Sequence, residues 1–150
     1  MHSFTEIFSN QWVGCALTAW FVAQALKIPT HYLVEKKLDL SRFFGSGGMP
    51  SSHTAMVVST ALLVGATVGF DSALFAVTAV FASIVMYDAS GVRRETGLQA
   101  QVLNEILRKV FVDGQPITDG ELKELVGHTK VEVLGGFIVG LLTALAFILL

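Results

Sequence analysis

The sequence predicts an all-helical integral membrane protein, with four transmembrane helices and short amphipathic helices in one long cytoplasmic loop. Three observations lead there. Of 150 residues, 53% are hydrophobic and only 15% charged, with mean hydropathy +0.64; a soluble domain carries about 25% charged residues. Four segments are long and apolar enough to cross about 30 Å of hydrocarbon at about 1.5 Å per residue. Nine of the ten Lys and Arg residues lie in two loops at one side of those segments.

The first segment, 11–34, reads QWVGCALTAWFVAQALKIPTHYLV. It has no basic n-region and no A-x-A-like exit, so it is expected to be a retained span rather than a cleaved signal. Lys27 and Pro29 lie in its second half, and Lys27 is expected to snorkel toward the basic side. Cys15 is expected to be a packing residue, and a single cysteine excludes an internal disulfide. The second segment, 53–70, opens on His53 behind a glycine-loosened loop, GSGGMPSS, in which Pro50 fits a first helical position. Only a Phe-Asp-Ser turn separates it from the third, 72–89, so the two form a helical hairpin. The fourth, 131–150, carries Glu132 at its start.

The loop 90–130 has structure of its own. Leu98, Val102, Ile106 and Val110 recur at helical spacing, and Thr96 with Gln99 fits a capping box, which predicts a helix near 97–111. Thr118 and Glu121 repeat the signal for a short helix near 119–126, with the turn-rich VDGQPITDG between them. Gly65-x3-Gly69 and Gly136-x3-Gly140 are small-residue faces suited to tight bundling or to a homo-oligomer. No repeat or low-complexity stretch divides the chain, so 1–150 reads as a single membrane domain.

Orientation follows from the basic residues. Lys36, Lys37 and Arg42 lie in the loop 35–52, and Arg93, Arg94, Arg108, Lys109, Lys123 and Lys130 in the loop 90–130. The excess of positive charge inside places both loops in the cytoplasm and both termini away from it, with a plasma or bacterial inner membrane as the default. Net charge is −2, so nothing argues for a nucleic-acid partner.

His53, Asp88, and His128 with Glu132 sit at three span ends that this topology brings to one face. Ionisable groups at such depth are costly and tend to mark function. Arg93 and Arg94 follow Asp88 closely, and Ser51, Ser52 and Gly48 precede a helix start, whose free N–H groups suit an anion. The pattern describes an anion site, and phosphate suits it.

These residues resemble the type 2 phosphatidic acid phosphatases, which share their site with vanadium haloperoxidases, and resemble most their small, divergent membrane branch. The likeness runs from about Lys27 to Gly140 through K-I-P, GGMPSSH, YDASGVRR-x2-G-x-QA-x2-LN and ELVGH-x3-EVLGG. It implies a phosphatase acting on a lipid phosphate or diphosphate through a phosphohistidine. His128 would be the nucleophile, Glu132 would orient it, and His53 would protonate the leaving group. Ser51, Ser52, Gly48, Arg93, Arg94, Lys36 and Arg42 would bind phosphate, with Asp88 and Lys27 in support. No metal and no cofactor enter that scheme.

Departures from the pattern are specific. The family's third-motif Arg, six residues before the nucleophile, is Leu122, and the first motif, Lys-x6-Arg-Pro, is missing, because Lys36 and Arg42 are one residue too close. Lys27, Lys36, Lys37 and Arg42 are the candidates to replace it. The chain offers four spans instead of six, and its loops read as cytoplasmic where many lipid phosphatases work on the outer face. Two other function classes therefore stand beside the phosphatase. One is an anion-binding or transport module without turnover. The other is a metal-dependent membrane enzyme using His53, Asp88, His128 and Glu132 as ligands.

Overall fold

The structure, a computed structural model, describes residues 4–45, 47–110 and 127–150. Five α-helices are present among them and no strand: α1 (Gln11–Glu35), α2 (Ser52–Val68), α3 (Ala73–Ser90), α4 (Val92–Val110) and α5 (Lys130–Leu149). The four apolar segments are thus helices, with ends within two residues of the sequence-based limits. The short helix expected near 119–126, VDGQPITDG and Leu122 lie outside the described residues.

Side-chain caps fix the helix starts. Asn10 accepts from the N–H groups of Trp12 and Val13 at the head of α1, Ser51 from Thr54 at α2, and Ser72 from Phe75 at α3. Pro50 therefore stands outside α2 rather than at its first position, in a cis peptide bond with Met49. Helix α4 begins five residues earlier than expected, one residue after Gly91 ends α3. The Thr96 hydroxyl is spanned by that helix and bonds back to Val92 O (3.0 Å), so Thr96 and Gln99 form no cap.

Helix α2 is the centre of the bundle, packed against α1, α3 and α5, while α4 touches only α3 among the described elements. Close approach of α2 and α5 depends on glycine. A Cβ at Gly136 would meet Ser51 O, and one at Gly140 would lie 2.6 Å from Ala55 O. The Gly136-x3-Gly140 face is therefore occupied within the chain, and Phe70 and Phe75 cover Gly65.

The expectation of four spans needs correction. Among the described residues, two helical runs are long and apolar enough to cross a membrane: Ala73–Ile106, which is α3 continued into α4, and Lys130–Leu149. Helix α2 is apolar but has 17 residues, about 26 Å of rise. Helix α1 has the length, yet Gln24, Lys27, Thr30 and His31 dilute its apolar character. The outer surface suits lipid all the same: of α3 only Ala82 and Ala89 are buried, and Val77, Phe81 and Ile84 are exposed.

Candidate functional site

The start of α2, the end of α3 and the start of α5 meet at one end of the bundle, joined by two main-chain bonds. Ser51 N donates to Glu132 O (2.9 Å), and His128 N donates to Ala89 O (2.8 Å). Gly127, just before His128, has φ +93°, and a Cβ there would meet the backbone N of Arg94. Only glycine lets the chain turn into α5 so close to the α3–α4 junction.

His128 is 5% exposed and its Nδ1 lies 3.0 Å from Glu132 Oε2. A carboxylate only accepts, so Nδ1 carries the hydrogen and Nε2 keeps its lone pair. The same oxygen accepts from Thr129 N (3.1 Å), while Thr129 Oγ1 accepts from Glu132 N (3.3 Å). That capping box at α5 was readable as T-K-V-E in the sequence. Glu132 is thus held from two sides before it orients anything.

His53, the second residue of α2, is exposed and makes no side-chain hydrogen bond among the described residues. Arg93 and Lys27 are close enough for their charges to act on it. Lys27 does not reach out to the membrane surface as expected. It is 3% exposed, its Nζ donates to Gly45 O (2.9 Å), and its charge acts on Glu132 as well. Thr30 Oγ1, on the next turn of α1, donates to Met49 O (2.5 Å). The loop before α2 is therefore tied down over Lys27, with Gly48 at φ +81° directly above it.

Other expected phosphate ligands stand differently. Ser51 and Ser52 are buried, and Ser51 Oγ accepts from both the N–H and the hydroxyl of Thr54. Arg93 Nε donates to Asp88 Oδ2 (2.6 Å), and Arg94 is exposed. Lys36 ends α1 exposed, with φ 56°. Arg42 pairs with Asp39 (3.2 Å), whose carboxyl is held below the ordinary range chiefly by hydrogen bonds from Ser41. Gln24, which no sequence pattern marked, is 5% exposed, and its Oε1 has no hydrogen-bond partner among the described residues.

Among the described residues, no three His, Cys, Asp or Glu side chains converge as a metal site would require. Asp88 turns to Arg93 and Glu132 to His128. The four-ligand metal arrangement weighed from the sequence is therefore not assembled, and what is assembled is a histidine–carboxylate pair flanked by a second histidine and a buried lysine.

Comparison with known proteins fits the sequence resemblance. The model of the divergent PAP2 family matches residues 8–143. The chain is 40% identical to an uncharacterized membrane protein, YuiD, of Bacillus subtilis (strain 168), over 93% of this chain and 95% of that protein. No solved structure matches it.

Proposed function

The chain belongs to the divergent PAP2 family, and from that premise we propose that it is a membrane phosphohydrolase acting on a lipid phosphate or diphosphate. One observation carries the reading: a buried His128 whose Nδ1–H is engaged by Glu132, leaving Nε2 as the nucleophile. Glu132 fixes the tautomer and stabilises the positive charge that grows on the ring during attack.

In the proposed first step the Nε2 lone pair forms a bond to phosphorus as the bond to the leaving oxygen breaks. The departing oxygen keeps that electron pair and takes a proton from His53, which carries that proton once the negative charge of the bound phosphate offsets the neighbouring cations. Water then attacks phosphorus, His53 takes the water's proton, and the N–P bond breaks to release phosphate and restore His128. Lys27 and Arg93, whose charges act on His53, supply the positive field that phosphoryl oxygens need. Lys27 would do the work of the missing first motif. A lipid substrate suits a site at a bundle end whose outer helices present apolar side chains to the bilayer.

We place α3 and α5 across the membrane, with α1 and α2 packed against them and α2 shielded by all three neighbours. The basic ends then face the cytoplasm and both termini the other side, in a plasma or bacterial inner membrane.

The test is phosphate release by the purified chain in detergent, with chelator present, from a panel of lipid phosphates and diphosphates. Release that survives chelator and disappears in His128→Ala is the expected result. No release by folded protein from any member of the panel would leave an anion-binding module.

A further inference from the structure

Gln24 lies one turn before Lys27, where side chains three apart share a helix face. That face is turned inward, since the adjacent Ala23 packs with Ala55 of α2 and Val139 of α5. Buried amide carbonyls are nearly always hydrogen-bonded, because one left unpaired loses its hydration without replacement. Among the described residues, Gln24 Oε1 is such an orphan. Its neighbour Lys27 is also under-used: an ammonium has three donors, and among the described residues one is engaged, by Gly45 O.

The cover over this pair is fixed. Phe43 packs edge-on against Trp20 and Phe21, one turn before Gln24. Lys27 and Thr30 then hold the carbonyls of Gly45 and Met49. Among the described residues, an acceptor lacking a donor and an ammonium with donors to spare thus lie one turn apart on the inward face of α1, and Lys27 is close enough to His53 and Glu132 for its charge to act on both.

We infer that Gln24 is a specificity-determining residue that accepts a hydrogen bond from a hydroxyl carried a few atoms from the ligand's phosphate. Lys27 binds the phosphate itself. The ligand is then a phosphorylated glycerol-type lipid with a free hydroxyl; a polyprenyl phosphate has no donor beyond the phosphate to offer. This inference rests on the phosphohydrolase reading for its ligand class.

The probe pair is 1-acyl-glycerol 3-phosphate and its 2-deoxy analogue with the same acyl chain, both in micelles with the full chain. Phosphate release is measured on the wild type, and equilibrium binding on His128→Ala, which leaves the lipid intact. A preference of roughly tenfold to a hundredfold for the hydroxylated lipid is expected, from the cost of leaving a buried acceptor unpaired. Gln24→Leu, or the closer-shaped Gln24→Met, should bring the ratio near one by weakening the hydroxylated lipid alone. A wild-type ratio near one overturns the inference, whether or not either variant folds. A ratio that survives the substitution also overturns it. Release from neither lipid with preferential binding intact would sink the phosphohydrolase reading and leave the role of Gln24 standing. Release from both at equal rates would do the reverse.

Discussion

His128 with Glu132 on one side of the mouth, and Asp88 with Arg93 on the other, each make one short acid–base contact, 3.0 and 2.6 Å long. They are held in opposite ways. The side chains of His128 and Glu132 are 5% and 23% exposed, the backbone of His128 is bonded to Ala89, and Glu132 also closes a capping box. The side chains of Arg93 and Asp88 are 52% and 37% exposed, and theirs is the shorter contact. Distance therefore misleads about which pair is the more firmly placed. An exposed ion pair contributes about 0.2–1 kcal/mol and is screened by salt, whereas a partly buried pair with further backbone bonds keeps its geometry. The first pair has the character of catalytic machinery and the second of an adjustable rim.

The sharpest way to break that contrast is His128→Ala. Removing the proposed nucleophile should lower phosphate release at least about a thousandfold, and emptying a buried position should lower the melting temperature without unfolding the chain. A variant that still turns over would move the chemistry elsewhere in the mouth. Glu132→Gln comes next. Glutamine serves as well as glutamate in a capping box, so the start of α5 should hold and the melting temperature should stay. What disappears is the carboxylate that stabilises a positive His128 ring, and kcat should fall about a hundredfold with KM nearly unchanged. A parallel loss of stability would mean that Glu132 works only as a cap.

Gly127→Ala tests the joint between the two corners. Residue 127 has positive φ, and the added Cβ would press on the backbone of Arg93 and Arg94. Strain of about 1–2 kcal/mol should appear as a lower melting temperature. A roughly tenfold loss of kcat/KM should accompany it as His128 is displaced. Activity preserved beside a lowered melting temperature would show that the joint yields without moving His128.

Parts of this were legible before the structure. The helices were, because long apolar runs allow little else, although the caps Asn10, Ser51 and Ser72 that fix their starts were not marked in advance. The order His53, Asp88, His128, Glu132 at span ends was also visible, since helix direction alone decides which ends share a face. The start of α4 was not: Thr96 and Gln99 have the capping pattern, but Gly91 lets the chain bend and resume helix at once, so the pattern falls inside a formed helix. Lys27 was misjudged because sequence says how deep a lysine lies along a helix and nothing of whether the chain folds back over it. Gln24 was invisible for a related reason, since one glutamine in an apolar run carries no periodic signal. Its missing partner is a property of three-dimensional neighbours. The two main-chain bonds that join the helix ends, Ser51 to Glu132 and His128 to Ala89, have no side-chain signature at all.

Asp88→Asn is expected to have the smallest effect, and its sign is informative. Two outcomes are conceivable in principle for an acid beside an arginine proposed to bind phosphate. It can compete with the phosphate for the guanidinium, or it can hold the guanidinium where phosphate will find it. The geometry favours the second. Asp88 engages Arg93 through Nε, and a guanidinium has five N–H donors, so the pairs on its two terminal nitrogens remain open to an anion. Asparagine keeps a hydrogen-bond acceptor at that distance but drops the charge, loosening the arginine without expelling it. KM should therefore rise about twofold to fivefold at low salt with kcat unchanged, in keeping with an exposed pair worth about 1 kcal/mol or less. The difference between variant and wild type should shrink as salt is raised and the exposed charges are screened. A fall in KM would instead make Asp88 a competitor for the site, and the rim would then be restraining substrate entry rather than preparing it.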